Sequence, residues 1–489
     1  MLLCQKRLKV RHVLTFVTGM VESLGFAGIM FGWPSLVFIL KTQGFFASFC
    51  VNATDIDGSL VQDCTGQDEQ FALVFTIASF LNNFLTLLNG LIFDRFGTLV
   101  ARLFGLFLHT SGILMLAFST PVMSMLLYPA LSFIAVGGMM LLISNTQVAN
   151  LFAAHRSTII TIYNGAFDTS SGVFIIIKFI YEAGISLQAS FLFLAACSVM
   201  HVLRTVFLFP RTFIPYPLPE DYTYGVSCRK KKAKESQQVT SQTTTEEEPP
   251  AKDKPEIPEK TFRECVLSRL FLLLLLWLSV IQLRHYLFIG TLNPTLERLA
   301  GGDSSVVSQY INAYAFTQMC HVFCSPLNGL ILDRHKRKPR VAGMSEQEAD
   351  LNSAVLSFFL TSVMAMVFSI SAAIPVLQLQ YFTFVMQVLN YAFLYGGLTS
   401  FISVVFPTCH FGKLFGLMMA LSAVFSLLQY ACFAVVETLL HGDSLYVDIA
   451  LTILILSSFS HPASVLVQCR NLAAQRAKAS ASCQVAVVA

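Results

Sequence analysis

Long apolar runs alternate with short polar or Pro/Gly-containing stretches along almost the whole chain. Each run is long enough to cross a bilayer as a helix, which takes roughly 20 residues, and the stretches between runs mark turns. The pattern predicts an all-α polytopic membrane protein with twelve transmembrane helices. They are placed at residues 12–40, 71–93, 99–119, 123–150, 158–180, 189–209, 266–290, 305–332, 353–371, 376–405, 413–437 and 445–467.

One long hydrophilic stretch, residues 210–262, interrupts this series after the sixth run. It holds eight of the seventeen prolines, a basic cluster from Arg229 to Lys234 and a run of three glutamates. Such a composition buries too little apolar surface to fold. We therefore predict a disordered cytoplasmic linker between two six-helix halves, at residues 1–209 and 263–467, with a cytoplasmic tail at residues 468–489.

The composition supports a membrane protein and excludes several other classes. The 489 residues are 55% hydrophobic and 12% charged, whereas a soluble domain carries about 25% charged residues. That excludes a cytosolic enzyme, a secreted disulfide scaffold and a disordered chain. The net charge of +4 is too small for a nucleic-acid-binding surface.

The distribution of basic residues predicts the orientation in the membrane. If the N-terminus is cytoplasmic, all but four of the 32 Lys and Arg residues lie at the cytoplasmic side, as the positive-inside rule requires. Lys41 and Arg298 then lie outside, and Lys178 and Arg284 lie within helices. We expect both termini to be cytoplasmic, Lys178 to extend to the outer interface and Arg284 to be structural.

This orientation places the polar loop after the first helix outside the cell. The sole glycosylation sequon of the chain begins at Asn52 in this loop, and Cys50 and Cys64 flank the sequon. An extracellular loop permits both modifications. Asn52 is therefore a predicted glycosylation site, and Cys50 with Cys64 is a candidate disulfide.

The two halves repeat a short motif. Leu-Asn-Gly-Leu-Ile-Phe-Asp-Arg at residues 88–95 returns 239 residues later as Leu-Asn-Gly-Leu-Ile-Leu-Asp-Arg at residues 327–334, with seven of eight positions identical. Parallel six-helix repeats are typical of transporters that rock around a central site. In a gate, the glycine would allow close helix approach, the aspartate would cap a helix and the arginine would pair across the seam. The predicted gate residues are Gly90, Asp94, Arg95, Gly329, Asp333 and Arg334; the alternative is a plain helix-ending turn.

Twelve spans with a duplicated Gly-x-x-x-Asp-Arg motif resemble the major facilitator superfamily, and several stretches resemble its solute carrier family 43. They begin at Glu22 (ESLGFAG), Phe31 (FGWPS), His155 (HRSTII), Tyr163 (YNGAFD), Ser279 (SVIQL), His285 (HYLFIGTL) and Phe411 (FGKLFG). The likeness covers nearly the whole chain except residues 225–262 and the tail, and it is strongest to the nucleobase-carrying members. It implies a plasma-membrane uniporter for purine nucleobases such as adenine, guanine and hypoxanthine, independent of sodium and protons and without a cofactor or metal.

If the resemblance holds, the first and fourth helices of each half line the cavity. Their polar residues are mainly amides and aromatics, which suit a flat neutral heterocycle through hydrogen bonding and stacking. This composition is permissive and fits many neutral solutes. The candidate substrate residues are Glu22, Ser144, Asn145, Gln147, Gln282, His285, Tyr286, Gln387, Asn390, Tyr391 and Tyr395. For Asp168, in the fifth helix, two interpretations have equal weight: it lines the cavity, or it pairs with another residue in a structural role.

Two other functions are compatible with the sequence. One is a carrier of large neutral amino acids, which would need a clamp for a carboxylate and an amine. The other is a non-transporting membrane regulator that acts through residues 210–262. No zinc-protease motif or catalytic triad is recognisable, so we expect no enzyme. The expected partners are the small-molecule substrate and membrane lipid, with no nucleic acid, and a monomer is expected to suffice.

Overall fold

A computed structural model of the chain describes residues 2–54, 60–152, 156–215, 218–219, 222–224, 261–332, 334, 346–406, 411–440 and 442–488. Helix dominates these ranges. The α-helices are α1 (Leu2–Glu22), α2 (Trp33–Thr42), α3 (Thr65–Phe84), α4 (Thr86–Ala117), α5 (Leu127–Thr146), α6 (Arg156–Thr169), α7 (Val173–Glu182), α8 (Leu187–Leu208), α9 (Phe262–Val266), α10 (Arg269–Leu299), α11 (Ser304–Met319), α12 (His321–Leu332), α13 (Glu346–Ala373), α14 (Gln380–Val405), α15 (Phe411–Ser426), α16 (Leu428–Ala434), α17 (Leu445–Leu456) and α18 (Ser460–Val488).

The described helices include eight stretches that are long and apolar enough to cross a membrane. The pair α1 and α2 makes a ninth if its two parts, bent by 42°, count as one span. Outward-facing side chains are strongly apolar, with Phe107 and Phe193 exposed by 66% and 70%, whereas Arg102 and His285 are buried. Apolar residues outside and polar residues inside are the arrangement that lipid favours.

The first span is broken at Gly28, between a π-helical turn and a 3₁₀ turn. The Gly28 N–H donates a hydrogen bond to Ser170 Oγ at 2.6 Å. A Cβ at Gly28 would collide with the carbonyl oxygen of Phe167. Glycine therefore allows this span to pack tightly against the junction of α6 and α7.

Several predicted boundaries differ from the observed ones. The second helix begins at Thr65 instead of residue 71, and the break expected between residues 93 and 99 is a bend inside α4 at Gly97, where φ is +79°. The last helix, α18, continues to Val488, so residues 468–488 of the predicted tail are helical.

The first part of the predicted disordered linker is ordered, which corrects the prediction for the residues described there. Residues 209–215, 218–219 and 222–224, here called the strap, cross the bend of α4 and the end of α5. The backbone N–H of Thr98 donates to the Thr212 carbonyl at 3.1 Å, and that of Leu99 donates to Arg211 at 3.2 Å. The strap side chains Ile214 and Tyr224 are buried. Residues 216–217, 220–221 and 225–260 lie outside the described residues.

A small antiparallel hairpin follows α2. Its strands, β1 (Val51–Thr54) and β2 (Leu60–Asp63), pair Asn52 with Gln62. A disulfide joins Cys50 to Cys64 at the two ends of the hairpin. The sequon therefore lies on a covalently closed loop.

Candidate functional site

Asn83, Gln282, Tyr286, Tyr391 and Tyr395 form an amide–tyrosine cluster contributed by α3, α10 and α14. The Tyr286 hydroxyl accepts a hydrogen bond from Asn83 Nδ2 at 2.6 Å and one from Gln282 Nε2 at 3.1 Å. Gln282 Nε2 also donates to the Tyr395 hydroxyl at 3.0 Å. The rings of Tyr391 and Tyr395 meet edge to face, with centroids 5.1 Å apart. Elements far apart in the chain therefore converge on one polar centre.

Phe31 covers this cluster from the broken first span. Its ring is stacked with Tyr286 at a centroid distance of 6.3 Å and meets Tyr391 edge to face at 6.0 Å. Phe75, from α3, meets Tyr286 edge to face at 6.1 Å. The cluster thus presents aromatic faces beside hydrogen-bonding groups.

Further predicted residues form a second layer behind the cluster. His285 Nε2 and Asn390 Oδ1 are 2.6 Å apart, and Asn390 Nδ2 donates to the Thr361 carbonyl at 2.7 Å. Gln387 Oε1 accepts from Gln318 Nε2 at 2.5 Å. These buried bonds restrict the rotamers of α10 and α14 side chains that face the cluster.

Asp168 lies near the end of α6, and the residue is only 8% exposed. It has no hydrogen bond and no ion pair with any residue in the described ranges. It lies within electrostatic range of Tyr391 and Tyr395. The adjacent Thr169 donates to the Met319 carbonyl at 3.3 Å, which holds this end of α6 against α11.

Glu22 is the centre of a separate buried network, here called the Glu22 network, of Glu22, Arg102, Asn145, His201 and Arg204. Arg102 Nη2 donates to both carboxylate oxygens at 2.5 and 2.8 Å, and Arg204 Nη1 binds Oε2. His201 Nδ1 lies 3.1 Å from Oε1, and Asn145 Nδ2 donates to Oε2 at 3.0 Å. The Glu22 carboxylate of α1 is therefore held by protein groups from three other helices, α4, α5 and α8.

Three predicted substrate residues are thus engaged away from the amide–tyrosine cluster. Asn145 Oδ1 accepts from both arginines of the Glu22 network, and Ser144 Oγ accepts from Arg102 Nη1 at 2.9 Å. Gln147 Oε1 accepts the backbone N–H of Ile214 in the strap at 3.0 Å. These polar groups are used for internal packing in this conformation.

The repeated motif makes a contact other than the expected gate. Asp94 and Arg95 are exposed, and neither has an ion-pair partner within the described ranges; Arg95 lies over the Phe96 ring at 5.7 Å. No atom lies within 4 Å of a Cβ built on Gly90, so this conformation does not use Gly90 for close helix approach. Gly329 has only Thr161, at 4.0 Å. Arg334 is half-buried, and Asp333 lies outside the described residues.

In both copies of the motif, the asparagine donates a hydrogen bond to a neighbouring helix. Asn89 Nδ2 donates to the Val136 carbonyl of α5 at 3.3 Å. Asn328 Nδ2 donates to the Phe393 carbonyl of α14 at 2.9 Å. Both asparagines are buried. The repeat therefore corresponds to the same helix-to-helix hydrogen bond, made twice.

The remaining basic residues inside the helices are also paired. Arg284 Nη1 lies 2.8 Å from Asp448 Oδ1, as a structural role requires. Lys178 is fully buried, which corrects the expectation that it reaches the outer interface. Its Nζ donates to Asn312 Oδ1 at 2.7 Å and to Ser308, and lies over the Phe38 ring at 4.4 Å. These acceptors on α11 satisfy the Lys178 ammonium group inside the helix bundle.

Three ion pairs join helix ends on the side that carries the hairpin. Lys41 Nζ lies 2.6 Å from Asp68 and 2.8 Å from Glu297, and Arg298 lies 3.0 Å from Glu437. Asn293 Nδ2 donates to the Pro34 carbonyl at 3.0 Å. This side of the molecule is therefore closed between α2 and α10.

At the opposite end, Tyr224 attaches the strap to α1. Its hydroxyl lies 3.0 Å from Thr15 Oγ1, its ring is stacked with His12, and the Arg11 guanidinium lies 4.9 Å from the ring centroid. Burial raises the pKa of the Tyr224 hydroxyl, so it stays protonated and able to donate at neutral pH.

The sequence pattern did not single out several residues of these sites. The positive-inside rule counts Arg102 and Arg204 among the cytoplasmic basic residues, although each lies in a largely apolar helix, which is the usual sign of an internal role. Asn83, Gln318 and His201 belong to no recognisable motif. Only the fold shows that they contact Tyr286, Gln387 and Glu22, respectively.

Comparison with known proteins is consistent with this geometry. Residues 15–429 match the Major Facilitator Superfamily. The chain is 48% identical over 482 residues to Equilibrative nucleobase transporter 1 of Bos taurus, covering 94% of this chain and 97% of that protein. It is 28% identical over 517 residues to Large neutral amino acids transporter small subunit 3 of Mus musculus, and 27% over 516 residues to that of Homo sapiens. Each of these two alignments covers 91% of both chains.

Proposed function

The chain belongs to the major facilitator superfamily, and from this premise we propose that it carries purine nucleobases across the plasma membrane by facilitated diffusion. Membership makes it a membrane transporter and not an enzyme. The proposed cargo is adenine, guanine and hypoxanthine, moved without sodium or proton coupling. The observation that carries the proposal is the amide–tyrosine cluster, supported by near full-length similarity to a nucleobase transporter.

The cluster suits a flat, neutral, hydrogen-bonding ring. Amide groups present a donor and an acceptor side by side, as adenine-type edges require. Tyrosine and phenylalanine faces add stacking, worth roughly 1–3 kcal/mol per base. Gln282, Tyr286 and Phe31 supply these groups within one small volume.

The charges of the helix bundle argue against an anionic or zwitterionic cargo. Arg102 and Arg204 are bound to Glu22, Arg284 to Asp448, and Lys178 to groups of α11. A carboxylate in a low-dielectric site needs a free cationic or N–H partner. Among the described residues of the cluster no such cation is present, so a neutral base is the better fit.

For the architecture we propose twelve spans in two six-helix halves, residues 1–209 and 263–467, joined by residues 210–262. The motif spaced by 239 residues supports this division, as do the equivalent bonds of Asn89 and Asn328. Alternating access then follows from rocking of the halves around the cluster. The ion pair between Lys41 and Glu297 joins the two halves and keeps the outer side closed in the present state.

The proposed topology has both termini in the cytoplasm and the hairpin outside. The basic residues support it, as do the Cys50–Cys64 disulfide and the sequon at Asn52, because glycans and disulfides belong to the extracellular side. A monomer is proposed to suffice, with lipid around it and no nucleic acid as a partner.

Uptake of radiolabelled adenine and leucine into cells expressing the chain tests the proposal. We expect saturable adenine uptake that is unchanged by removal of sodium or by a shift from neutral to acidic pH. Cells without the chain give the background. Leucine uptake without adenine uptake would place the chain functionally with its amino-acid-carrying relatives. Uptake of neither, with the protein at the cell surface, would favour a regulator without transport.

A further inference from the structure

Four acidic side chains are buried in the part of the chain that the structure describes: Glu22, Asp168, Glu348 and Asp448. Three of them are paired with arginine, at N–O distances of 2.5 Å for Glu22, 2.9 Å for Glu348 and 2.8 Å for Asp448. Asp168 has no such partner within the described ranges. Burying a polar group without a hydrogen bond is costly, so a missing partner at this position points to a ligand.

The position of Asp168 is beside the amide–tyrosine cluster. Its neighbour Phe167 meets the Phe31 ring edge to face at 6.0 Å, and Asp168 itself is within electrostatic range of Tyr391 and Tyr395. Asp168 is therefore near the tyrosines that are proposed to hold the base.

Two acceptor atoms around the cluster also have no hydrogen-bond donor, His321 Nε2 and Gln282 Oε1. His321 Nδ1 hydrogen-bonds the Gln318 carbonyl at 2.9 Å and therefore carries the proton, so Nε2 is an acceptor. Both His321 Nε2 and Gln282 Oε1 are buried without a hydrogen bond. The His321 ring lies 5.6 Å from that of Tyr391. The surroundings of the cluster thus offer acceptors for a ligand rich in N–H groups.

A carboxyl group has a hydrogen-bonding property that fits purines. Without a cation nearby, a buried carboxyl group is most stable with its proton, and it then presents one donor and one acceptor side by side. Either oxygen can carry the proton. Adenine presents an acceptor at N1 beside a donor at N6, and hypoxanthine and guanine present a donor at N1 beside an acceptor at O6. One protonated carboxyl group is complementary to both arrangements.

We infer that Asp168 is a specificity-determining residue that hydrogen-bonds the N1–C6 edge of the purine through both of its oxygens. The inference rests on the proposed function and adds to it the way in which one site accepts both aminopurines and oxopurines. It also predicts which part of the base is recognised. Substituents on N1 are excluded, whereas the imidazole side of the purine contributes no bond to Asp168.

The first test uses the unmodified protein. Uptake of labelled hypoxanthine is measured in competition with 1-methylguanine, which has lost the N1 hydrogen, and with 7-methylguanine, which keeps the N1–C6 edge. Because loss of a hydrogen bond to such a group weakens binding about tenfold or more, we expect 1-methylguanine to compete at least about tenfold more weakly. Equal competition by the two bases overturns the inference.

The second test compares Asp168→Asn with Asp168→Ala at matched surface expression. The amide of asparagine keeps one donor and one acceptor, so we expect uptake of adenine and guanine to remain within a few-fold of the original. Alanine loses both bonds, and we expect both uptakes to fall at least about tenfold. If asparagine abolishes uptake as completely as alanine, the ionised carboxylate is required and the inference is wrong.

These outcomes are separable from failure of the proposed function. If the unmodified chain accumulates no labelled purine, the proposed cargo itself is wrong and the assignment of Asp168 fails with it. If the unmodified chain transports purines and Asp168→Ala does so equally well, only the role of Asp168 is overturned.

Discussion

Tyr286 and Glu22 show two uses of buried polar side chains at the scale of single residues. Tyr286 is bonded to neutral amides from two helices, and aromatic faces lie beside it. Glu22 is bonded to two guanidinium groups that no other acidic side chain neutralises among the described residues. A neutral group can exchange a protein partner for a ligand at little cost, whereas a buried ion pair resists separation. We therefore expect ligand binding at Tyr286 and stability from Glu22.

The Tyr286→Phe variant tests the first expectation. The change removes one hydroxyl that accepts from Asn83 and Gln282, and a net hydrogen bond is worth about 0.5–1.5 kcal/mol. We expect the KM for adenine to rise about three- to tenfold with normal surface expression. Tyr446→Phe, at a side chain that is 68% exposed, is the matched control. Unchanged saturation curves for Tyr286→Phe would remove the cluster from the site.

The Glu22→Gln variant tests the second expectation. It leaves two buried arginines without a counter-charge, which costs about 3–5 kcal/mol in comparable cases. We expect a large loss of thermal stability in detergent. Asp94→Asn is the control for stability, because Asp94 is exposed and has no ion-pair partner among the described residues, and we expect little change in thermal stability. A stable Glu22→Gln protein with a raised KM would instead support the direct substrate contact predicted from sequence.

At the scale of elements, the strap ties helices of the N-terminal part together. It binds the start of the second part of α4 through Thr98, the end of α5 through Gln147, and α1 through Tyr224. Gly97 makes this possible, because a Cβ there would lie 2.8 Å from the Arg211 carbonyl. Its φ of +79° is also a conformation that side chains disfavour.

A Gly97→Ala variant should therefore loosen the strap. The backbone conformation costs about 1–3 kcal/mol for a residue other than glycine, and the steric contact adds to this. We expect lower thermal stability and faster proteolysis after Arg211. Gly90→Ala is the control, since no atom lies within 4 Å of its Cβ position, and it should be neutral or slightly stabilising. Equal stability of the two variants would show that the strap contributes nothing.

At the scale of the whole molecule, closure of the outer side depends on a few charged contacts. Lys41 connects α2 to both α3 and α10. It lies on the side of the hairpin, opposite the strap. A state open to the outside must break the contact between Lys41 and Glu297, because this contact bridges the halves that we propose to rock. The contact between Lys41 and Asp68 lies within the N-terminal half.

Lys41→Met should shift the molecule towards an outward-open state. We expect faster hydrogen–deuterium exchange at the ends of α2 and α10, because the ion pairs that join them are lost. Lys413→Met removes the same charge at an exposed position and serves as the control. Identical exchange in both variants would show that these ion pairs do not hold the outer side closed.

The topology has a direct test at the hairpin. Asn52→Gln should remove a glycan and increase mobility on a denaturing gel, as glycosidase treatment of the unmodified protein should. No shift in either experiment would contradict glycosylation at Asn52 and remove one support for the orientation.

The sequence predicted the helical membrane class from its apolar runs and the superfamily from its duplicated motif. It did not predict which polar residues meet. Glu22 and Gln282 look alike as isolated polar groups in apolar helices, yet one binds arginines that are 80 and 182 residues away in the chain. Such pairings depend on helix packing. The sequence could not predict the strap, because Thr98 and Gln147 each make a single hydrogen bond to its backbone. Isolated bonds of this kind leave no repeating pattern in the sequence.

The Glu22 network also has an electrical consequence. Two arginines share one glutamate inside candidate membrane spans, so one positive charge remains there when His201 is neutral. A charge that crosses the full transmembrane voltage exchanges about 2.3 kcal/mol per 100 mV. If rocking of the halves moves this charge through a tenth of the field, the balance between the two states changes by about 0.2 kcal/mol per 100 mV. With such a movement, the transport cycle would depend on the membrane potential even when the cargo is neutral.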